Sequence, residues 1–286
     1  NGDGFSDVII LSRNKVSVYY GSASGLNTTP AWTVNLTSPL NGHKVACAGD
    51  VNGDGFSEVI ICDPLYGSLD QGKVSVIYGS ASGPGSTWTR EGENTYDKFG
   101  YDASVAGDVN GDGYSDIIVG AQGFPGPISE GRIYVFKGSS EGLLDTPLWT
   151  FRSNQPSAGL GSSVSAAGDI NGDGYADIIA GAPYFDSIQT ETGRSYVFLG
   201  SSNGPSLSPD WSTVGTQYDS YFGSSVASAG DVNSDGYSDF LVGARGFDLT
   251  YSDEGAVYVY NGGNSTSGYR IFNRQFKYGT SNVVTS

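Results

Sequence analysis

One nine-residue stretch, repeated along the chain at nearly even spacing, restricts this sequence to a small set of folds. It reads Asp108-Val-Asn-Gly-Asp-Gly-Tyr-Ser-Asp116 and recurs as Asp50 to Glu58, Asp169 to Asp177 and Asp231 to Asp239. A shortened copy, Asn1-Gly-Asp-Gly-Phe-Ser-Asp7, opens the chain. From Asn1 to Asn52 is 51 residues, from Asn52 to Asn110 is 58, from Asn110 to Asn171 is 61 and from Asn171 to Asn233 is 62. A period of that size belongs to propeller blades or solenoid coils, in which each unit buries its apolar surface against its neighbours.

Within each complete copy, oxygen-bearing side chains stand at positions 1, 3, 5 and 9, with Gly at position 6 where the backbone turns sharply. The four sets are Asp50, Asn52, Asp54 and Glu58; Asp108, Asn110, Asp112 and Asp116; Asp169, Asn171, Asp173 and Asp177; and Asp231, Asn233, Asp235 and Asp239. Position 7, occupied by Phe56, Tyr114, Tyr175 and Tyr237, is expected to add a backbone carbonyl. Three carboxylates and one amide oxygen suit Ca²⁺, which accepts irregular cages of oxygen, better than Mg²⁺ with its strict octahedron. Four full Ca²⁺ sites are expected, and a weaker, degenerate fifth at Asn1, Asp3 and Asp7, where the leading Asp is missing.

The start of the motif reads like an EF-hand, but that loop needs a bidentate Glu at its twelfth position and a helix on either side. Here the last carboxylate comes at position 9, and the flanks, such as Ser104-Val-Ala-Gly107 and Ile117-Ile-Val-Gly-Ala121, are small and β-branched strand sequence. The loop therefore joins two strands. A third strand follows in each unit, as in Val74-Ser-Val-Ile-Tyr-Gly79 and Tyr196-Val-Phe-Leu-Gly200, and a short fourth is marked by Trp32, Trp88, Trp149 and Trp211. Four antiparallel strands per unit, with no helical periodicity, are the content of a propeller blade. The fold class expected is all-β: a single propeller over residues 1–286, built of five repeats. The tryptophans are expected to pack between blades and the small residues before each acidic loop to line the crowded centre of the ring.

The sequence has 14 Lys plus Arg against 30 Asp plus Glu, a formal charge of −16, which argues against nucleic acid as a partner. No apolar run approaches the length of a membrane-spanning helix. There is no Met, which suggests a mature or excised fragment. Cys47 and Cys62 flank one acidic loop, and both a disulfide and two small packed residues fit that placing. Sequons at Asn27, Asn35 and Asn264 permit glycosylation on a eukaryotic secretory route.

Phe99-Gly100 and Phe222-Gly223, with Leu160-Gly161 as a variant, precede the acidic loops, and Gly181-Ala182-Pro183 follows one, loosened to Gly120-Ala121-Gln122 and Gly243-Ala244-Arg245. Together with the repeated acidic motif between them, these markers resemble the FG-GAP repeat of the integrin α-subunit head and its relatives. The resemblance implies a propeller with Ca²⁺ in the hairpin between the first and second strands of a blade, at the cell surface or outside the cell. The chain departs from that pattern in holding five repeats where integrin heads have seven blades, and in reading Asn41-Gly42 and Cys62-Asp63-Pro64 at the two markers of its second repeat. No Arg-Gly-Asp tripeptide is present.

The tail Tyr278 to Ser286 is similar to the segment Phe222 to Gly230, and Asn1 is the counterpart of the loop Asn that would follow it. A five-bladed ring closed by the C-terminal strand joining the N-terminal blade, leaving no free sheet edge, is therefore expected, the alternative being a slice of a longer array. Successive strands alternate in direction, so the acidic loops share one end of the blades. The loops carrying Tyr66, Phe124, Tyr184, Tyr251, Tyr96, Asp97, Tyr218 and Tyr221 share the other. That second face is where a protein or glycan ligand is expected, although its aromatics could equally cover the blade tops.

An enzyme is not expected. The single histidine, His43, has no nearby Ser, Cys or acid in sequence to form a dyad, and the paired carboxylates are committed to loops with every ligand position filled. The reading is a Ca²⁺-binding extracellular recognition or adhesion module. The alternatives are a sugar-binding propeller using Trp and Tyr between blades, and an accessory domain of a larger secreted enzyme. Oligomeric state is open.

Overall fold

The computed structural model of the chain describes residues 1–13, 15–36, 42–125, 128–187 and 189–263, together with the backbone of 274–276. The strands form five antiparallel sheets, and four of them have four strands. The first sheet joins β1 (Val8–Ser12), β2 (Lys15–Tyr19) and β3 (Trp32–Asn35). The second holds β4 (Lys44–Gly49), β5 (Glu58–Asp63), β6 (Lys73–Ile77) and β7 (Thr87–Glu91). The third comprises β8 (Phe99–Gly107), β9 (Asp116–Ala121), β10 (Arg132–Phe136) and β11 (Trp149–Arg152). The fourth runs β12 (Ser163–Gly168), β13 (Asp177–Ala182), β14 (Arg194–Phe198) and β15 (Trp211–Val214). The fifth is β16 (Phe222–Gly230), β17 (Asp239–Ala244), β18 (Ala256–Tyr260) and β19 (Arg274–Phe276). Each is a meander in which sequence neighbours pair, and among the described residues there is no α-helix.

The apolar cores lie between sheets. One cluster joins the second and third sheets through Ile60, Val76, Phe99 and Tyr134, another the third and fourth, and another the fourth and fifth. This explains the continuous apolar runs of β5, β9 and β13, every residue of which is buried: a sheet covered on both faces needs no polar alternation. In β1 exposed and half-buried residues alternate, as expected of a sheet packed on one face only, and Val8 and Ile10 are exposed. The fifth sheet likewise leaves Val257 exposed. The second residue of the acidic loop tells the same story: Val51 and Val109 are 0 % exposed and Ile170 is 1 %, but Val232 is 57 %. The segment 278–286 expected to close the ring lies outside the described residues.

The tryptophans are inter-blade packing, as their spacing implied. Trp88 meets Phe136 of the third sheet edge-on at 5.2 Å, Trp149 meets Phe198 of the fourth at 4.7 Å and Trp211 meets Tyr260 of the fifth at 4.9 Å. The Trp88 indole donates to Asp145 and that of Trp149 to the Ser206 carbonyl. Backbones also approach closely across the same gaps: a methyl on Gly181 would stand 1.9 Å from the Gly223 carbonyl oxygen of the next sheet. The cysteines are free, Cys47 exposed and Cys62 buried, because the hairpin register sets Cys47 opposite Val59 and Cys62 opposite Lys44.

Candidate metal centre

Each complete acidic loop is the hairpin between a sheet's first and second strands. The register slips by one residue just before it, at Gly49, Gly107, Gly168 and Gly230, all with φ between 67° and 82°. This bulge turns the chain out of the ladder, and only a residue without Cβ takes that backbone conformation freely.

The loop then closes on its own carboxylates. Asp108 Oδ1 accepts from the N–H groups of Gly111 and Asp112 at 2.7 and 3.0 Å, and its Oδ2 from Gly113 at 2.7 Å. Asp50 and Asp169 hold the corresponding three N–H groups, and Asp231 holds those of Asp235 and Gly236. The position-5 carboxylates of Asp54, Asp112, Asp173 and Asp235 each accept from the N–H two residues on, that of Phe56, Tyr114, Tyr175 or Tyr237. The amides of Asn52, Asn171 and Asn233 bridge to the same Asp.

The position-9 carboxylates sit deeper than the sequence suggested. Glu58, Asp116, Asp177 and Asp239 are all 0 % exposed. One oxygen takes the N–H of loop position 2, at 2.7, 3.1, 2.8 and 2.9 Å in turn. The other, in the three Asp copies, takes the N–H of Gly138, Gly200 or Gly262 at the end of the third strand. Burial pushes Glu58, Asp116 and Asp177 up to about 7, against the pull of those N–H donors and with help from the neighbouring loop carboxylates.

The second loop goes furthest toward a cation cage. Oxygens of Asp50, Asp54 and Glu58 lie within 4.8 Å of one another, and among the described residues this is the one cluster of three carboxylates so close. Glu58 Oε1 is buried beside the Gly79 N–H yet closes no hydrogen bond of good geometry with it. The extra methylene of Glu over Asp lets a carboxylate that holds the Val51 N–H come within reach of Asp50 and Asp54 as well, and three oxygens so placed fit a hard cation. In the third, fourth and fifth loops the same donor types are present, with the shorter Asp held back at the root. In the first, Asp7 accepts from the Asn1 amine at 2.8 Å and from Gly21 at 2.9 Å, while Asn1 Nδ2 and Asp3 bond to each other.

Two features escaped the sequence reading. His43 does have an acid beside it: Nε2 lies 3.4 Å from Asp63 Oδ2, both buried, because the β4–β5 hairpin brings residues twenty apart together. Lys137 Nζ lies 2.7 Å from Asp112 Oδ2, inside the third loop.

At the opposite end of the sheets, Tyr96, Tyr218 and Tyr251 are 46, 57 and 73 % exposed, and Leu69 and Leu249 are also exposed. Phe124 and Asp97 are buried there, so only part of this aromatic set is free to meet a ligand. Arg245 lies over the rings of Tyr184 and Tyr221.

Residues 99–136, 160–198 and 222–260 match the FG-GAP repeat, and residues 1–61 match the FG-GAP-like repeat, which together take in more than half of the chain. The chain is an FG-GAP repeat propeller. The matched segments begin at Phe99, Leu160 and Phe222 and end on the third strand of each sheet, so the matched repeat takes in the first three strands of a blade. Integrin α subunits are among its relatives. The FG-GAP chain is 29% identical over 246 residues to integrin alpha-5 of Xenopus laevis, covering 82% of this chain and 23% of the relative. It is 33% identical over 215 residues to integrin alpha-8 of Gallus gallus (72% and 20%), and 37% identical over 152 residues to integrin alpha-IIb of Mus musculus (49% and 14%). The FG-GAP chain thus spans less than a quarter of the length of these curated relatives.

Proposed function

We propose that this FG-GAP propeller is a Ca²⁺-stabilised recognition module, acting at the cell surface or outside the cell and binding a protein ligand on the face opposite its acidic loops. The observation that carries the metal reading is the second loop, where oxygens of Asp50, Asp54 and the buried Glu58 converge. Asp108, Asn110, Asp112 and Asp116, and their counterparts at 169–177 and 231–239, supply the same donor types for three further sites. Carbonyls of Phe56, Tyr114, Tyr175 and Tyr237 complete the sets. Asn1, Asp3 and Asp7 form a weaker one. When bound, the cation neutralises carboxylates that otherwise repel and ties the two strands of the hairpin together.

Adhesion is supported by the integrin α relatives, and the ligand face by the exposed Tyr96, Tyr218 and Tyr251. A sugar-binding use of the inter-blade gaps is less well supported, since Trp88 and Trp149 are buried there and already bonded to neighbouring blades. The test is calorimetry on chelator-stripped protein, with thermal unfolding along the same titration. Uptake of several Ca²⁺ per chain is expected, each site adding about 2.7 kcal/mol at 100-fold excess over its Kd. No uptake and an unmoved Tm would reduce the loops to solvated turns.

A further inference from the structure

The residue before the glycine that follows β2, β6, β10, β14 or β18 stands directly behind the acidic loop of its own sheet. That glycine's N–H reaches the position-9 carboxylate in the first, third, fourth and fifth sheets. The preceding residues are Tyr20, Tyr78, Lys137, Leu199 and Asn261, so the third sheet alone places a cation there. Its Nζ lies 2.7 Å from Asp112 Oδ2, and the side chain is one-third exposed. Among the described residues no other Lys or Arg side chain pairs with a loop carboxylate.

The ammonium changes the loop's internal bonding. In the second, fourth and fifth loops the position-3 Asn donates to the position-5 Asp, at 2.9, 2.8 and 3.0 Å. In the third, Asn110 donates instead to the buried Asp116, at 3.4 Å, and Lys137 takes its place on Asp112. The carboxamide turns a donor toward the root of the loop, and one of the three carboxylates already has a positive partner.

We infer that Lys137 is an internal competitor for the third loop's cation, which makes this the weakest of the four complete Ca²⁺ sites and the last to fill. The inference rests on the metal reading above. A divalent ion entering here must displace an ammonium from Asp112 or sit beside it, and the other three complete loops hold no such cation. A partly exposed ion pair at this spacing corresponds to roughly a threefold to tenfold loss of affinity.

The test is calorimetric Ca²⁺ titration of the whole stripped chain and of three variants. Lys137→Leu adopts the residue of the fourth sheet; Leu199→Lys installs the ammonium in the fourth; Asp112→Asn disables the third loop alone. Expected in the wild type are three tight sites, a weaker third-loop site and the degenerate first-loop site, and loss of the third-loop site alone in Asp112→Asn. That site should tighten about threefold to tenfold in Lys137→Leu, and a new weak site should appear in Leu199→Lys. Unchanged affinities in both Lys137→Leu and Leu199→Lys, with Ca²⁺ still bound, overturn the inference and leave the metal reading standing. No Ca²⁺ uptake by any of the proteins overturns the metal reading, and the inference with it.

Discussion

Gly181→Ala is the substitution for which the structure gives the sharpest expectation. Alanine is ordinarily the better residue in a strand, by about 0.5–1 kcal/mol. At Gly181, however, the new methyl would meet the Gly223 carbonyl oxygen at 1.9 Å, its carbonyl carbon at 2.8 Å and its Cα at 3.1 Å. Ordinary contact begins near 3.4 Å, so the fourth and fifth sheets must part by about 1.5 Å at this point. The obstacle is backbone on both sides, and no rotamer relieves it. Separation on that scale forfeits a large fraction of the local dispersion energy, and overpacking of this kind costs about 1–3 kcal/mol. With roughly 2–4 °C of Tm per kcal/mol for a chain of this class, a fall of about 2–12 °C is expected. Gly243→Ala is the internal control: it occupies the same place in the fifth sheet, where the nearest atom to a new methyl is Ser225 Cβ at 3.5 Å. It should be neutral within about 0.5 kcal/mol. Thermal and denaturant unfolding at saturating Ca²⁺ compare the two. If Gly181→Ala is as stable as wild type, the sheets are not packed as described; if Gly243→Ala falls equally far, a further neighbour covers the fifth sheet.

Val109→Ala, which empties a fully buried site between the third and fourth sheets, should cost about 2 kcal/mol, and Val232→Ala, at the equivalent but exposed position, under about 0.5; equal costs measured by urea unfolding would contradict the one-sided packing of the fifth sheet. Burial raises Glu58, Asp116 and Asp177 from the ordinary carboxylate range near 4 to about 7 in the metal-free fold, so between these limits the folded chain holds more protons than the unfolded one. Their contribution therefore favours the metal-free fold most near pH 4 and is lost as pH rises to 7, by up to ~1.4 kcal/mol per pH unit and group. The Tm of chelated protein should accordingly fall from pH 5 to 8, whereas the extra Tm conferred by Ca²⁺ should grow over the same range. A chelated profile that rises instead would show these carboxylates to be ionised without metal.

The sheets were legible because their signals are local. The acidic nonapeptide marks a hairpin by its own Asx turns, and β5, β9 and β13 announce two-sided burial by lacking any polar alternation. The donor types of the loop were equally plain, but their depth was not. Position 9 reads like position 1 in sequence, yet Asp116 is held at the root of the loop by Val109 and Gly138, and the Gly is twenty-two residues away. Lys137 and the His43–Asp63 pair were missed for the same reason: each depends on strand register, which composition and spacing do not report. The single Lys among Tyr20, Tyr78, Leu199 and Asn261 was the available signal, visible only when the five repeats are aligned on the third strand.

The acidic loops also hold the blades to one another. The carbonyl of loop position 1 in the second, third and fourth sheets accepts from Ser115, Ala176 and Ser238 in the next sheet, at 3.0 Å each time. The carbonyl of position 2 accepts from Ser139, Ser201 and Gly263, and the loop's Gly53, Gly111 and Gly172 lie against Tyr114, Tyr175 and Tyr237. The second, third and fourth loops are thus knuckles between consecutive blades, and their rigidity helps to set the angle at which the next one hangs. Whatever stiffens the loops stiffens the fan as a whole; whatever slackens them lets the blades pivot while their own ladders stay whole, and the opposite face, tens of residues away along the chain, changes its shape.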